Sequence, residues 1–257
     1  MSSAEVGYGD LPARLQSHLE QFCADVAAEA GENLILVAVY GSVTKSGKWV
    51  AGETSVSVLV VLQDASIQFL KPIGGVIRRA IKSFNAAPFV LSLHDLQTST
   101  DIFPIKFLDM QTHHLLLSGR DALSELDIST QHLRLRCEQE LCNLLLRLRQ
   151  VYVRNAGDDA ALDQAAAHAV EPFFMALGAA VYLTTELLPD SESAIADSAA
   201  KVMSLDRESL DRLMAFREGS RGAGTDAVKG LFNELLEPVE LAADYVDTLE
   251  AESSSTG

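Results

Sequence analysis

Positive charge is scarce in this chain. Its 257 residues include 20 Lys and Arg against 36 Asp and Glu, which gives a formal net charge of −16 at pH 7. Proteins that bind a nucleic acid backbone do so with clustered Lys and Arg, because those side chains neutralise phosphates. The composition therefore predicts no nucleic acid partner.

Cysteines and long apolar runs are also few. Cys23, Cys137 and Cys142 form no Cys-x-x-Cys pair and no zinc-binding spacing with a histidine, which favours a reducing compartment. The N-terminus lacks the charged and apolar regions of a signal peptide, and no run of about 18 apolar residues predicts a membrane span. We therefore expect a soluble, cytoplasmic protein with no membrane partner.

Apolar residues as a class are abundant, at 48% of the chain, which is enough for a sizeable core. The first 128 residues alternate between helical and strand patterns, which is typical of an α/β domain. NLILVAVYG and SVSVLVVL are the clearest strands, and FVLSLHDL and FPIKFLDM are shorter strand candidates. IQFLKPIGGVIRRAIKSFN predicts a helix pair or a kinked helix, because Pro72 interrupts it.

The pattern changes after Ile128. QHLRLRCEQELCNLLLRLRQVYVRN places Leu133, Cys137, Leu141 and Leu145 on one helical stripe, and further helical segments follow it. These segments predict an all-α bundle of four or five helices. The expected organisation is an α/β domain at 1–128, a helical bundle at 129–250 and a disordered tail at 251–257.

Four ordered segments of the first domain resemble the nucleotidyltransferase superfamily, in particular its bacterial members of the minimal or kanamycin-nucleotidyltransferase type. Gly41 and Ser42 stand where that family has a Gly-Ser turn, and TSVSVLVVL aligns with its second strand. DIFPIKFLDM resembles its third-carboxylate strand, and LLLSGRDAL resembles the segment that often follows. The resemblance implies a mixed-sheet nucleotidyltransferase-like domain followed by an all-α bundle. It also implies nucleotidyl transfer with divalent metals held by three carboxylates.

The same segments lack the residues that this chemistry needs. Ser55 and Ser57 replace the family's Asp-x-Asp pair, and Lys106 stands where its third acidic residue is expected. Mg²⁺ requires anionic oxygen ligands; neutral hydroxyls are far weaker ligands, and an ammonium group repels the metal. We therefore predict no catalytic residue, no metal site and no cofactor. The expected protein is a pseudoenzyme that acts as a binding or assembly subunit, with a protein partner or with itself.

Neighbouring acidic residues keep a second function open. Glu53, Asp64 and Asp109 are candidates for a displaced acidic site, which would make the protein an active metal-dependent nucleotidyltransferase. Glu53 lies two residues before Ser55, on the same face if the strand begins that early.

A third function needs no metal. Gly41, Ser42 and Lys106 are candidates for a nucleotide-binding site, because an ammonium group and hydroxyl groups bind phosphate through charge-assisted hydrogen bonds. In that case the protein would be a nucleotide sensor.

Overall fold

The structure is a computed structural model that describes residue 8, residues 11–219 and residues 230–253. The chain divides into two units between Ile128 and Ser129.

A mixed sheet forms the centre of the first unit. Its strands are β1 (Leu34–Tyr40), β2 (Val56–Leu62), β3 (Ala86–Ser92) and β4 (His114–Gly119). The strand order is β3-β2-β1-β4. β1 pairs antiparallel with both β2 and β4, whereas β2 and β3 are parallel. The sheet therefore carries the two longest predicted strands, β1 and β2, at its centre.

Helices cover both faces of this sheet. They are α1 (Ala13–Ala30), α2 (Ser42–Ser46), α3 (Ile67–Phe84), α4 (Leu93–Thr98) and α5 (Pro104–Thr112). On one face, Val39, Val58 and neighbouring residues pack against α1 and α3. On the other, Ala38, Leu59 and neighbouring residues pack against α4 and α5. Because both faces are buried, β1 and β2 are continuous apolar runs.

The segment expected to form the third-carboxylate strand is mostly helix. A turn precedes α5, which begins at Pro104, where the fixed φ of proline suits a first helical position. Pro104, Phe107 and Met110 are all buried and recur every three residues, which is a helical spacing. The strand prediction was wrong because a short apolar segment fits both periods.

Two neighbouring segments, FVLSLHDL and HHLLLSG, also differ from what the sequence indicated. FVLSLHDL is a strand only up to Ser92, where α4 begins with a capping box between Ser92 and Asp95. HHLLLSG, for which no strand was predicted, contains β4. Gly119 ends it with a φ of +90°, and a Cβ there would lie 2.0 Å from the carbonyl oxygen of Ile35. Glycine is therefore required at that close approach.

Helices make up the described part of the second unit. They are α6 (Thr130–Arg154), α7 (Asp159–Thr185), α8 (Glu192–Met203), α9 (Arg207–Gly219) and α10 (Leu231–Ser253). The buried carboxylate of Asp163 accepts hydrogen bonds from the backbone of Gly230 and Phe232, both at 3.0 Å, and so caps α10. Residues 251–253 of the expected disordered tail are helical, because α10 continues to Ser253, and residues 254–257 lie outside the described residues.

Helix α7 bears on the expected absence of a membrane span. It is long and apolar enough to cross a membrane, and within residues 8, 11–219 and 230–253 it is the only helix that meets this criterion. The helix contains no uninterrupted run of about 18 apolar residues, because Asp163, His168 and Glu171 lie within it. In addition, 61% of its most apolar window is buried within the protein, where it packs against α6 and α10. The central helix of a bundle is apolar on most sides for the same reason.

Candidate functional site at the Gly-Ser turn

The Gly-Ser turn lies directly beside the start of β2. β1 ends at Tyr40, Gly41 has a φ of +85°, and α2 begins at Ser42, which is exposed. A Cβ on Gly41 would lie 3.7 Å from Oγ of Ser57. The positive φ favours glycine at this turn, and the turn brings α2 next to the strand that carries Ser57.

Ser57 belongs to a row of side chains at one end of the sheet. Tyr40 on β1 pairs with Ser57 on β2 and with His114 on β4, and Ser57 pairs with Ala87 on β3. The Ser57 hydroxyl is hydrogen-bonded to the Tyr40 phenol. Burial raises the pKa of Tyr40 to about 12; the Ser57 hydrogen bond opposes this rise, and the charge of Asp109 adds to it. The row therefore combines the hydroxyls of Tyr40 and Ser57 with the imidazole of His114.

Ser55 precedes this row by two residues, just before the start of β2. It is exposed, and its Oγ is 3.4 Å from the backbone carbonyl of Asn85. The strand beside β2 is β3, and none of its seven residues, Ala86–Ser92, is acidic. A third anionic ligand for a metal at Ser55 and Ser57 is therefore missing from the adjacent strand as well.

Lys106 lies on α5 and not on a strand as expected. Its Nζ is 3.6 Å from the centroid of the Phe89 ring on β3, a cation–π contact. Phe89 and Ser57 lie on the same face of the sheet, because Phe89 is two residues beyond Ala87. Partial burial lowers the pKa of Lys106. The Lys106 ammonium group thus lies over the sheet face that carries Ser57, but it belongs to helix α5 and not to the predicted strand.

Asp109 is the acidic residue that approaches this end of the sheet. Its carboxylate forms an ion pair with Lys45 of α2, and Oδ1 lies 3.1 Å from Nδ1 of His113. Burial by itself raises the pKa of Asp109, but the His113 hydrogen bond and the Lys45 ammonium group outweigh it, and the pKa lies below its ordinary value. The carboxylate is therefore ionised, and a cation of the chain itself is bound to it.

Thr44 holds this arrangement in place. Its hydroxyl lies 2.7 Å from the Gly41 carbonyl and 2.8 Å from the His113 carbonyl. The side chain thus joins the Gly-Ser turn to the end of α5, which keeps Lys45 next to Asp109.

The other acidic candidates lie outside α2 and α5, the helices that carry Lys45 and Asp109. Glu53 is exposed in the turn before β2, and Asp64 follows the opposite end of that strand, where it binds the backbone of Ser66. At about 3.3 Å per residue, Asp64 is some 23 Å along the chain from Ser57. No group of three or more His, Cys, Asp or Glu residues suited to a metal ion occurs among the described residues.

Sequence reasoning missed Tyr40, Lys45, His113 and His114. The i,i+4 spacing of Asp109 and His113 was a signal, but only for a helix, and this segment had been interpreted as a strand. Lys45 follows the Gly-Ser turn by one helical turn, yet its partner is 64 residues away. The sequence did not indicate a role for His114 either, because its partner Asp121 follows β4 in the chain and the strand separates the two residues.

Comparison with solved structures shows which fold this is. The crystal structure of spectinomycin adenyltransferase AAD(9) from Enterococcus faecialis with ATP and spectinomycin matches with a TM-score of 0.56. The match covers 90% of this chain and 99% of that chain, at 13% sequence identity. The chain has a nucleotidyltransferase-like fold. No family model and no curated protein sequence matches the chain. At this identity the likeness concerns the nucleotidyltransferase-like fold and the helical region that follows it.

Proposed function

We propose that this protein is a catalytically inactive, cytoplasmic nucleotidyltransferase-like protein that acts as a binding or assembly subunit. The observation that carries the proposal is the ion pair between Asp109 and Lys45. The positions expected to hold metal carry hydroxyls, at Ser55 and Ser57, and the nearby carboxylate is already neutralised. A divalent metal at this end of the sheet would have to displace Lys45 and would still lack two anionic ligands.

The displaced acidic site receives little support from the geometry. Glu53 and Asp109 lie near the start of β2, but Asp64 lies beyond the other end of the strand. Two-metal phosphoryl chemistry needs carboxylates within a few ångströms of one another, because each must contact a metal. These three side chains therefore do not suit a shared metal site.

Metal-free nucleotide binding is the second candidate. It is favoured by Lys106, whose ammonium group covers the sheet face of Ser57 without a carboxylate partner among the described residues. Gly41 and Ser42 lie at the adjacent turn. Spectinomycin adenyltransferase AAD(9), which shares the fold, has been crystallised with ATP, so ATP is the probe to use.

The first experiment measures nucleotidyl transfer. Purified protein is incubated with labelled ATP and either Mg²⁺ or Mn²⁺, with and without spectinomycin as acceptor. We expect no transfer above background. Turnover that disappears in Asp109→Asn, and persists in Asp101→Asn at an exposed turn, would contradict the proposal and favour the displaced acidic site.

The second experiment separates the binding candidates. Thermal unfolding is recorded with ATP in the presence of Mg²⁺ and in the presence of EDTA. A sensor built on Lys106 predicts stabilisation in EDTA, of about 2.7 kcal/mol at 100 times the Kd. That stabilisation should be lost in Lys106→Ala and kept in Lys48→Ala, an exposed lysine of the loop after α2. No stabilisation in either buffer would leave protein assembly as the function.

A further inference from the structure

Helix α6 has two apolar faces. One is buried, and it packs in the bundle against α7 and α10. The opposite face carries Leu135 and Leu146, which are 58% and 54% exposed, Val153, which is 78% exposed, and the exposed Cys142. At about 100° per residue, these four side chains lie within roughly 20° of one line along the helix. We call them the α6 stripe; such a stripe on an outer helix face is typical of an interface.

An acidic flank runs along one side of the α6 stripe. Arg149 forms an ion pair with Glu240, which places α10 on this side. Partial burial raises the pKa of the Cys142 thiol, and the charges of Glu138, which pairs with Arg134, and of Asp247 and Asp244 on α10 add to the rise. Asp244 and Asp247 are both exposed.

An arginine flank runs along the other side. Arg136 and Arg147 lie about 100° and 120° round the helix from the stripe, away from α10. Arg136 pairs with Glu140 one turn later, and Arg147 is exposed with no ion pair among the described residues. The charges beside the stripe that have no ion pair among the described residues are thus acidic on the α10 side, at Asp244 and Asp247, and basic on the other side, at Arg147.

We propose that the α6 stripe is the interface between two copies of this chain, with their α6 helices parallel. In a parallel pair with its twofold axis along the helices, the acidic flank of each copy faces the arginine flank of the other. In an antiparallel pair, acidic flanks would face each other across the interface. Charge complementarity therefore selects both the partner and its orientation. The inference rests on the assembly role proposed above and names its partner.

The orientation has a direct chemical consequence, because each residue of the stripe faces its own copy in a parallel pair. Leu135 and Val153 are about 27 Å apart along the helix, so they report the orientation independently. Single cysteines are introduced as Leu135→Cys and Val153→Cys in a Cys142→Ser background; Cys23 and Cys137 are buried. After mild oxidation, we expect each variant alone to form a disulfide-linked dimer. Crosslinking only when the two variants are mixed would show an antiparallel pair and overturn the proposal.

The energetic test uses charge insertion. Leu146→Glu places a charge in the middle of the stripe, and we expect it to weaken dimerisation by at least about tenfold in sedimentation equilibrium. The matched control is Ile81→Glu, at an exposed apolar position on α3, which should leave dimerisation unchanged. Both positions are exposed, and circular dichroism checks that both variants fold.

Two results would refute the interface. A monomer at all protein concentrations, with Cys142 reactive towards maleimide, would show an uncovered stripe without a second copy. A monomer with unreactive Cys142 would show that the stripe is covered within its own chain. Either result leaves the transfer assay unaffected, so failure of this inference and failure of the proposed inactivity are distinguished.

Discussion

The two faces of the sheet in the first unit differ in what they bury at the end where β1 meets the Gly-Ser turn. The face under α1 and α3 is apolar along its length, from Val37 to Leu62. The face under α4 and α5 is apolar in the middle but ends in Tyr40, Ser57 and the Lys45–Asp109 pair. The apolar face accounts for the stability of the fold. The polar end of the other face carries the candidate functional residues, and there the Asp109 carboxylate is paired with Lys45.

The largest loss of stability is expected for a substitution on the apolar face. Leu19 of α1 is fully buried there, so Leu19→Ala should cost about 2–5 kcal/mol of the free energy of unfolding, through lost burial and a cavity. Urea unfolding followed by fluorescence of Trp49, the single tryptophan, reports on this unit. Ile81→Ala, at an exposed position of α3, is the control and should cost less than about 0.5 kcal/mol. Equal effects would contradict the assignment of Leu19 to the core of this face.

A smaller loss of stability is expected for a substitution at the polar end of the other face. Asp109→Asn removes the counter-charge of Lys45, which is half-buried, and weakens the contact with His113. We expect a loss of about 1–3 kcal/mol at pH 7, measured by the same urea unfolding. Asp101→Asn, in the exposed turn before α5, should change little. A neutral result for Asp109→Asn would mean that the cluster contributes no stability.

The Asp109 contribution should depend on pH in a defined direction. The pKa of Asp109 is lower in the folded protein than its ordinary value, so folding favours the ionised carboxylate. Its contribution to stability is complete above about pH 4, the ordinary aspartate range, and is lost as the pH falls through the lower folded-state pKa. The stability curves of wild type and Asp109→Asn should therefore converge in acid. A gap that stays constant down to pH 2 would contradict this assignment.

The smallest loss of stability is expected when the Ser57 hydroxyl is removed. Ser57→Ala removes one neutral hydrogen bond to Tyr40 and should cost about 0.5–1.5 kcal/mol. A double-mutant cycle with Tyr40→Phe isolates the contact, and we expect a coupling free energy of about 0.5–1 kcal/mol. A coupling of zero would mean that the two side chains act independently.

Much of the fold was open to prediction because its signals are local. β1 and β2 are β-branched apolar runs, and the helical stripe of α6 recurs every three or four residues, so both periods are visible in the letters. The strand prediction for DIFPIKFLDM failed because ten residues are too few to separate a helical period from a strand period. Its correction moved Lys106 from a strand to α5.

The polar cluster was not open to prediction in the same way. Lys45 and Asp109 are 64 residues apart and belong to α2 and α5. They meet because α2 and the end of α5 lie side by side, joined by the hydrogen bond from the Thr44 hydroxyl to the His113 carbonyl. Likewise, the absence of acidic residues from the strand beside Ser57 is meaningful only once β3 is known to be that strand.

By itself, the sequence determined the composition of the site, since Ser55 and Ser57 are hydroxyls wherever the chain places them. It also determined the central strands and the second apolar stripe of α6, because side-chain periodicity is a local property of the backbone. Only the tertiary structure decided that Lys45 neutralises Asp109, that Lys106 covers Phe89, and that Asp64 lies away from both. Those contacts join residues far apart in the chain, and packing of the helices on the sheet, rather than any local preference, brings them together.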